Sequence, residues 1–268
     1  MTSALDQTLH ASPKIPMDEW PTSFLGRLPI VQADIETSAA GFIEHALCNR
    51  GAGLPPFYST SANGQVLALC GKDADFLELM RMADQIHADG MPMVLYSKKF
   101  SSRPLPERVA TTDLVHAVAR EAERAGVSFY FLGASEDVNK AAVEAIQKAY
   151  PKLVFAGRRN GYFSRAEEDA IIADINRSKP DILWIGLGVP LEQQFVARNI
   201  DRLTEVGVIK TSGGLFDFLS GKNARAPQWM QAAGLEWIYR AYLEPRRLAM
   251  RYITTNPQAI GALIRHSG

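Results

Sequence analysis

The residues whose types could do chemistry sit in short polar interruptions of apolar runs. Asp89 stands in an Asp-Gly pair, and His87 lies two residues before it. The carboxylate or the imidazole could take a proton from an attacking hydroxyl as a general base, although Asp-Gly is first of all a turn signal. Upstream, Thr60, Ser61 and Asn63 form a hydroxyl- and amide-bearing turn after the β-prone stretch Phe57 to Ser61. Ser and Asn cap helices well. A polar turn at the carboxyl end of a strand is also where open α/β sheets bind ligands. Asp73-Ala74-Asp75 has the carboxylate pair that can hold a metal on a diphosphate, but acids are favoured in a first helical turn in any case. Arg108 offers a bidentate partner for phosphate oxygens, or for Glu107 or Asp113 beside it.

A second group of candidates follows apolar runs. Ile182 to Gly188 and Val206 to Gly214 each end in small residues and lead into a helix-like segment. Helix starts have unpaired N–H groups and the positive end of the dipole, so such junctions suit an anion. Gly213 and Gly214 let a ligand approach the backbone closely, and Asp217 follows in the first turn. Gly133-Ala134-Ser135 is a similar junction, though short βα loops look like this regardless of ligand. Glu192 and Gln193 can hydrogen-bond a sugar or nucleotide edge. Tyr162 either packs under its loop or faces a ligand. Gly186-Leu187-Gly188 lacks the third glycine of a dinucleotide fingerprint, and Pro190-Leu191 fills the turn, which counts against a nucleotide-cofactor oxidoreductase.

The elements that must position these residues alternate between strand and helix. Leu28 to Val31, Phe57 to Ser61, Met91 to Tyr96, Val127 to Leu132, Leu153 to Ala156, Ile182 to Gly188 and Val208 to Ser212 read as strands. Thr37 to Leu47, Gln65 to Cys70, Asp75 to Ile86, Thr112 to Ala125, Glu136 to Tyr150 and Ser164 to Ser178 read as helices, on apolar spacing and capping signals such as Ser164 with Glu167. The fold class is α/β: a Rossmann-like parallel sheet in two lobes with a helical C-terminal appendage. The organisation expected is a flexible tail over 1–25, a core over 26–221 and a basic helical appendage over 222–268.

Composition narrows the classes further. The chain has 268 residues, 22% charged, with a formal net charge of zero. No global field argues for nucleic acid. The charge is uneven, because Lys222 to Gly268 holds seven Lys or Arg and two acids, a net of +5. Arg225, Arg240, Arg246, Arg247 and Arg251 are interleaved there with Trp229, Trp237 and Tyr239. Gln228 to Tyr239 and Pro245 to Ile253 read as two amphipathic helices, a pattern that suits an anionic membrane surface or a cap on the core with a solvated basic face. A non-catalytic module binding anionic lipid through this tail is a competing reading. No apolar run reaches the ~20 residues of a membrane span, and the N-terminus has no signal-peptide pattern. Cys48 and Cys70 lack metal spacing and read as reduced core thiols of the cytoplasm.

The order of these motifs resembles a known family. The Ser-Gly-Gly-Leu-Phe-Asp run from Ser212, then Arg225-Ala226-Pro227, Gly234 to Arg240 and Glu244 to Arg247, look like the C-terminal half of the WecG/TagA/CpsF glycosyltransferases. The resemblance extends over roughly Leu28 to Tyr252. It implies an inverting transfer from a UDP-sugar, commonly N-acetylmannosamine, to a polyprenyl-diphosphate-linked saccharide on the cytoplasmic face of the membrane, without a metal or other cofactor. A homo-oligomer is allowed. It implies that Asp89, not His87, is the base, and that Ser61 aligns with the Thr of a Thr-x-Asn motif whose Asn is Asn63. The hydroxyl of the true threonine, Thr60, lies one residue early. Arg108 and Asp113 fit a Pro-Glu-Arg-Val-x-Gly-x-Asp motif in which Thr111 replaces Gly. Gly188 to Gln193 correspond to Gly-x-Pro-Lys-Gln-Glu with the Lys replaced by Leu191 and the last two residues exchanged. The resemblance also puts Tyr162, Gly213, Gly214 and Asp217 at the nucleotide-sugar site. It brings the basic tail to the membrane, with Arg225 and Arg240 available to the donor phosphates.

Overall fold

A computed structural model of the chain describes residues 19–245, 248 and 250–268. A two-stranded antiparallel ribbon comes first, β1 (Thr22–Leu25) and β2 (Leu28–Val31). Residues 22–25 therefore belong to a strand, where the sequence reading had a loose tail. The chain continues through α1 (Ile35–Asn49), β3 (Phe57–Ala62), α2 (Gly64–Cys70), α3 (Ala74–Arg81), β4 (Gln85–Ala88) and α4 (Met91–Phe100). Next come α5 (Thr111–Ala125), β5 (Ser128–Gly133), α6 (Glu136–Ala149), β6 (Val154–Arg159), α7 (Glu168–Ser178), β7 (Ile182–Gly186) and α8 (Leu191–Asn199). The last elements are β8 (Val208–Thr211), α9 (Leu215–Leu219), α10 (Gln228–Ala232), α11 (Glu236–Leu243) and α12 (Met250–Arg265).

Six strands form one sheet in the order β4-β3-β8-β7-β5-β6, and every pairing is parallel. Central parallel strands are covered on both faces, so they read as unbroken apolar runs. Successive residues of β5 and β7 feed opposite cores. Phe129, Phe131, Ile182 and Trp184 pack with α1, α5 and α6. Tyr130, Leu132, Leu183 and Ile185 pack with α7 and α8. All six parallel strands of the core lie in this single sheet. A third cluster joins Ala62, Ile86, α2, α3 and the β1–β2 ribbon at the β4 edge.

Two assignments change between Asp75 and Phe100. The helical spacing of Phe76, Leu79, Met80, Met82 and Ala83 continues past the helix, which stops at Arg81, and residues 85–88 form a fully buried edge strand. Met91 onward is helical, not extended. Pro92 lies in the first turn of α4, where the missing N–H has no intrahelical partner to lose. Asp89 thereby moves to the carboxyl edge of the sheet.

The C-terminal region also differs. Among the described residues three α-helices stand where two were expected, and Gly234, at φ +73°, breaks the chain between α10 and α11. A left-handed residue of this kind ends a helix without the Cβ clash other residues meet. The end of α12 belongs to the core: Ala259 and Leu263 pack into the cluster with Val66, Leu67 and Cys70. The Arg27 and Gly268 amides tie the ribbon to the C-terminus, donating to the His266 and Phe24 carbonyls at 3.1 Å each. Cys70 is buried, but Cys48 is exposed near the end of α1, so only one of the two is a core thiol.

Candidate active site

The turns after β4, β3, β8 and β7 meet because those strands are neighbours. The first three carry Asp89, Asn63 and Gly213, and the turn after β7 leads into α8, whose first turn carries Glu192, at the carboxyl edge where open α/β sheets bind ligands. The Asp89 amide donates to the Ala62 carbonyl at 2.8 Å, and the Val109 amide to the Ala88 carbonyl at 2.9 Å. These two bonds fix the Asp89 turn between the end of β3 and the Arg108 segment. The carboxyl is half-buried. Loss of water lifts it to about 6, against the opposing pull of Arg108 and Lys210, while Glu236 and Asp113 push it further up. A base that titrates near the working pH combines availability with proton affinity.

Behind Asp89 runs a line of polar groups. Lys210 Nζ donates to Ser61 Oγ at 2.7 Å. Ser61 Oγ and Thr111 Oγ1 are 3.2 Å apart, and Thr111 Oγ1 donates to Asp89 Oδ2 at 3.5 Å. Lys210 has no exposed surface. Burial brings its ammonium down to about 7, although Asp89 and Glu192 favour the charged form. The sequence reading missed this lysine and the bridging role of Thr111. The available signal was a lone Lys in the apolar strand Val206 to Thr211, since burying an ammonium costs several kcal/mol without partners.

Glu192 is the second buried carboxyl. Its Oε2 accepts from the Gly213 amide at 2.9 Å and the Gly188 amide at 3.3 Å. Burial lifts it to about 7, and these N–H groups and Lys210 hold it lower than burial would alone. The two glycine turns thus form an anion cradle, as their spacing suggests, but the anion in it is the chain's own carboxylate. Gly213 does not present an open N–H, and Glu192 does not face outward to read a sugar. Gly214 is exposed beside it.

Other expected residues are placed as follows. Asn63 caps α2, accepting from the amides of Gln65 and Val66 at 3.0 and 3.2 Å, whereas Ser61 does no capping. Thr60 is fully buried and accepts from Thr211 Oγ1 at 2.7 Å and Gln193 Nε2 at 3.5 Å. Thr60 in β3 and Gln193 on α8 are both buried, so they support the site from the interior and do not line it. His87 is buried between Ser59 and Ser38. Burial and the nearby Lys210 push it well below the usual histidine range, which makes it a neutral core residue. Asp73 caps α3, accepting from the Phe76 amide at 2.9 Å. Gly133 is buried at φ +146°, and a Cβ there would lie 2.2 Å from the Gly186 carbonyl. Its role is the close approach of β5 to β7, and it offers no open face to a ligand.

The basic groups are partly tied. Arg108 donates to Glu236 at 2.8 Å and Gln231 at 3.3 Å, and lies 3.5 Å from Asp113. Arg225 pairs with Asp113 and Gln231. This network fastens α10 and α11 to the start of α5, and both arginines are near enough to Asp89 to affect its charge or be affected by it. Asp217 pairs with Lys222 at 2.9 Å. The stacking of Phe216 on Phe131, centroids 4.6 Å apart, holds α9 on β5. Tyr162 is 81% exposed, so its ring is free at the rim. Arg240 and Arg251 lie over the rings of Phe218 and Tyr252 at 5.3 and 5.2 Å. Arg246 and Arg247 lie outside the described residues.

A parallel sheet with a half-buried carboxyl at its carboxyl edge, backed by a buried lysine and flanked by arginines, defines a group-transfer enzyme of Rossmann-like build. The chain belongs to the Glycosyl transferase WecG/TagA/CpsF family, whose model matches residues 26–267, and it is a glycosyltransferase. It is 29% identical to a Bacillus subtilis strain 168 protein over 84% of this chain and 85% of that one. It is 29% identical to a Bacillus spizizenii strain W23 protein over 89% and 91%. With a Staphylococcus aureus strain MRSA252 protein it shares 28% identity over 71% and 74%. All three relatives are named N-acetylglucosaminyldiphosphoundecaprenol N-acetyl-beta-D-mannosaminyltransferase.

Proposed function

We propose that the chain transfers a hexose derivative from a UDP-sugar to a polyprenyl-diphosphate-linked saccharide, with inversion, in the synthesis of a cell-surface polysaccharide. The relatives' names point to N-acetylmannosamine as the first donor to try. The observation that carries the reading is Asp89, a carboxyl at the sheet edge lifted to about 6 by burial. In this reaction the acceptor hydroxyl attacks the anomeric carbon as its proton passes to Asp89. A new C–O bond forms, and the bond to the nucleotide diphosphate breaks. The departing diphosphate gains negative charge, which Arg108 and Arg225 are placed to offset, the strongest kind of help an active site gives. No metal is assigned a role, since Asp73 is committed to its cap and cationic side chains stand at the site.

A lipid-linked acceptor puts the proposed reaction at a membrane surface. Among the described residues no helix is long and apolar enough to cross one. What supports peripheral association is the outer face of α12, where Met250, Ile253, Ile260 and Ile264 are exposed, with exposed Trp229 and Tyr242 nearby in the chain and Arg251 on the same helix. Apolar and aromatic residues at headgroup depth with basic residues on anionic lipid make such an attachment reversible. The proposed site of action is the cytoplasmic face.

The test is release of UDP from a panel of UDP-sugars with a lipid-diphosphate saccharide, in EDTA, for the wild type and Asp89→Asn. Acceptor-dependent release in EDTA that falls ~100-fold or more in the variant is expected. Release that requires a divalent cation would remove the metal-independent mechanism. Full activity in Asp89→Asn would remove the base assignment.

A further inference from the structure

Lys210 is a buried ionisable group that the proposed reaction does not use. In the sheet it lies beside Ser59 of β3 and Trp184 of β7. Its long side chain runs two residues toward the carboxyl edge, where Nζ reaches Ser61 Oγ at 2.7 Å. It has no exposed surface, so it cannot serve as a surface cation or a solubilising charge. A fully buried lysine is retained at an energetic cost unless its charge answers others nearby. Two such charges exist, since Asp89 and Glu192 both act on it.

The connection to Asp89 is physical and directional. Lys210 donates to Ser61, Ser61 contacts Thr111, and Thr111 donates to Asp89 Oδ2. If Lys210 donates to the Ser61 oxygen, the Ser61 hydroxyl proton is free to point to Thr111, and the Thr111 proton to the carboxylate. The chain of donors has the right sense to stabilise Asp89 as an anion. The remaining charged groups around Asp89 are Arg108 on the loop before α5, Asp113 on α5, Arg225 on the loop before α10 and Glu236 on α11. Arg108 and Arg225 are already paired with Asp113 and Glu236. Lys210 is the nearby cation with no direct carboxylate bond of its own among the described residues.

We propose that Lys210 is a positioning residue for glycosyl transfer: acting through Ser61 and Thr111, it orients the Asp89 carboxylate and keeps it ionised to receive the acceptor proton. The inference rests on Asp89 being the base. It also gives the Ser61 hydroxyl and Thr111, which replaces a glycine of the family motif, a shared purpose. Glu192 holds the other side of the same charge, so Lys210 sits between the base and the glycine cradle.

The experiment is the pH dependence of kcat/KM for UDP release in the wild type, Lys210→Met, Ser61→Ala, Thr111→Val and Asp89→Asn. In Lys210→Met the acid limb moves to higher pH by about one unit or more, the usual effect of losing an opposite charge close by. Ser61→Ala and Thr111→Val keep the ammonium but cut the line of donors. They move the limb in the same direction by less, with a lower kcat and little change in donor KM. A role confined to packing lowers activity and leaves the limb where it was, and that result in Lys210→Met overturns the proposal. If Lys210→Met does not fold, the limb in Thr111→Val decides, and an unmoved limb there also overturns it. Loss of activity in Asp89→Asn with unmoved limbs elsewhere counts against Lys210 alone. Retained activity in Asp89→Asn counts against the base on which the inference rests.

Discussion

Replacing the proposed base should make the protein more stable while it removes activity. Asp89 is lifted from the ordinary 3.8 to about 6 in the fold. Between those values the native state holds a proton that the unfolded chain has lost, so stability falls as pH rises through this window. Below 3.8 both states are protonated and there is no effect. Above about 6 the full cost of the ionised carboxylate is present. At about 1.4 kcal/mol for each tenfold change this is at most ~3 kcal/mol, and nearer ~2 kcal/mol once the residual water contact of a half-buried group is allowed for. Asn resembles the neutral form and keeps an oxygen for Thr111. Asp89→Asn should therefore raise Tm at pH 8 by roughly 4–8 °C for a chain of this size, and the gain should disappear near pH 3.5–4. Thermal melts of both proteins across that range read the effect directly. A loss of stability at pH 8 that disappears near pH 3.5–4 would show that the ionised carboxylate is held by net favourable pairing, and would refute the account of its raised affinity for protons.

Four further outcomes are expected. Glu192→Gln keeps an acceptor for the Gly213 amide and removes the second buried charge. Since burial lifts Glu192 to about 7, the variant should melt higher at pH 8.5 and gain nothing near pH 4. Gly133→Ala forces a Cβ to within 2.2 Å of the Gly186 carbonyl at φ +146°, which should cost about 3 kcal/mol or more. Urea denaturation with a wild-type midpoint would contradict that packing. Arg108→Ala removes the shorter of the two ion pairs of Glu236 and leaves the one to Arg225 at 3.6 Å; limited trypsin digestion should cut faster around α10 and α11, whereas an unchanged rate would mean the Arg108 pair does not hold these helices. Truncation before Ala259 strips Ala259 and Leu263 from the cluster around Val66 and Leu67. It should lower Tm sharply, and an unchanged melt would mean that α12 is a dispensable appendage after all.

The sequence alone determined the α/β class, because short all-apolar runs bounded by turn residues, such as Ile182 to Gly186, alternate with longer segments of amphipathic helical spacing. It also determined local features set by nearest neighbours: the cap at Asn63, the capping box at Ser164 and Glu167, and the end of α5 at Gly126. The family resemblance named Asp89 over His87 as the proposed base, and the structure seals the His87 imidazole among Ser38, Ser59 and Phe42. Periodicity misled between Asp75 and Phe100, because short apolar runs fit a helix or a strand equally and only pairing with β3 settles the matter. Tertiary structure decided everything that depends on distant residues meeting. It brought Lys210 to Ser61 across 149 positions of sequence and Thr111 to Ser61 across 50. It filled the Gly213 cradle with Glu192, and it folded the end of α12 into the core. Charge and hydrogen-bond partners of this kind are set by which strands lie side by side, and the order β4-β3-β8-β7 is not written in any local stretch of the chain.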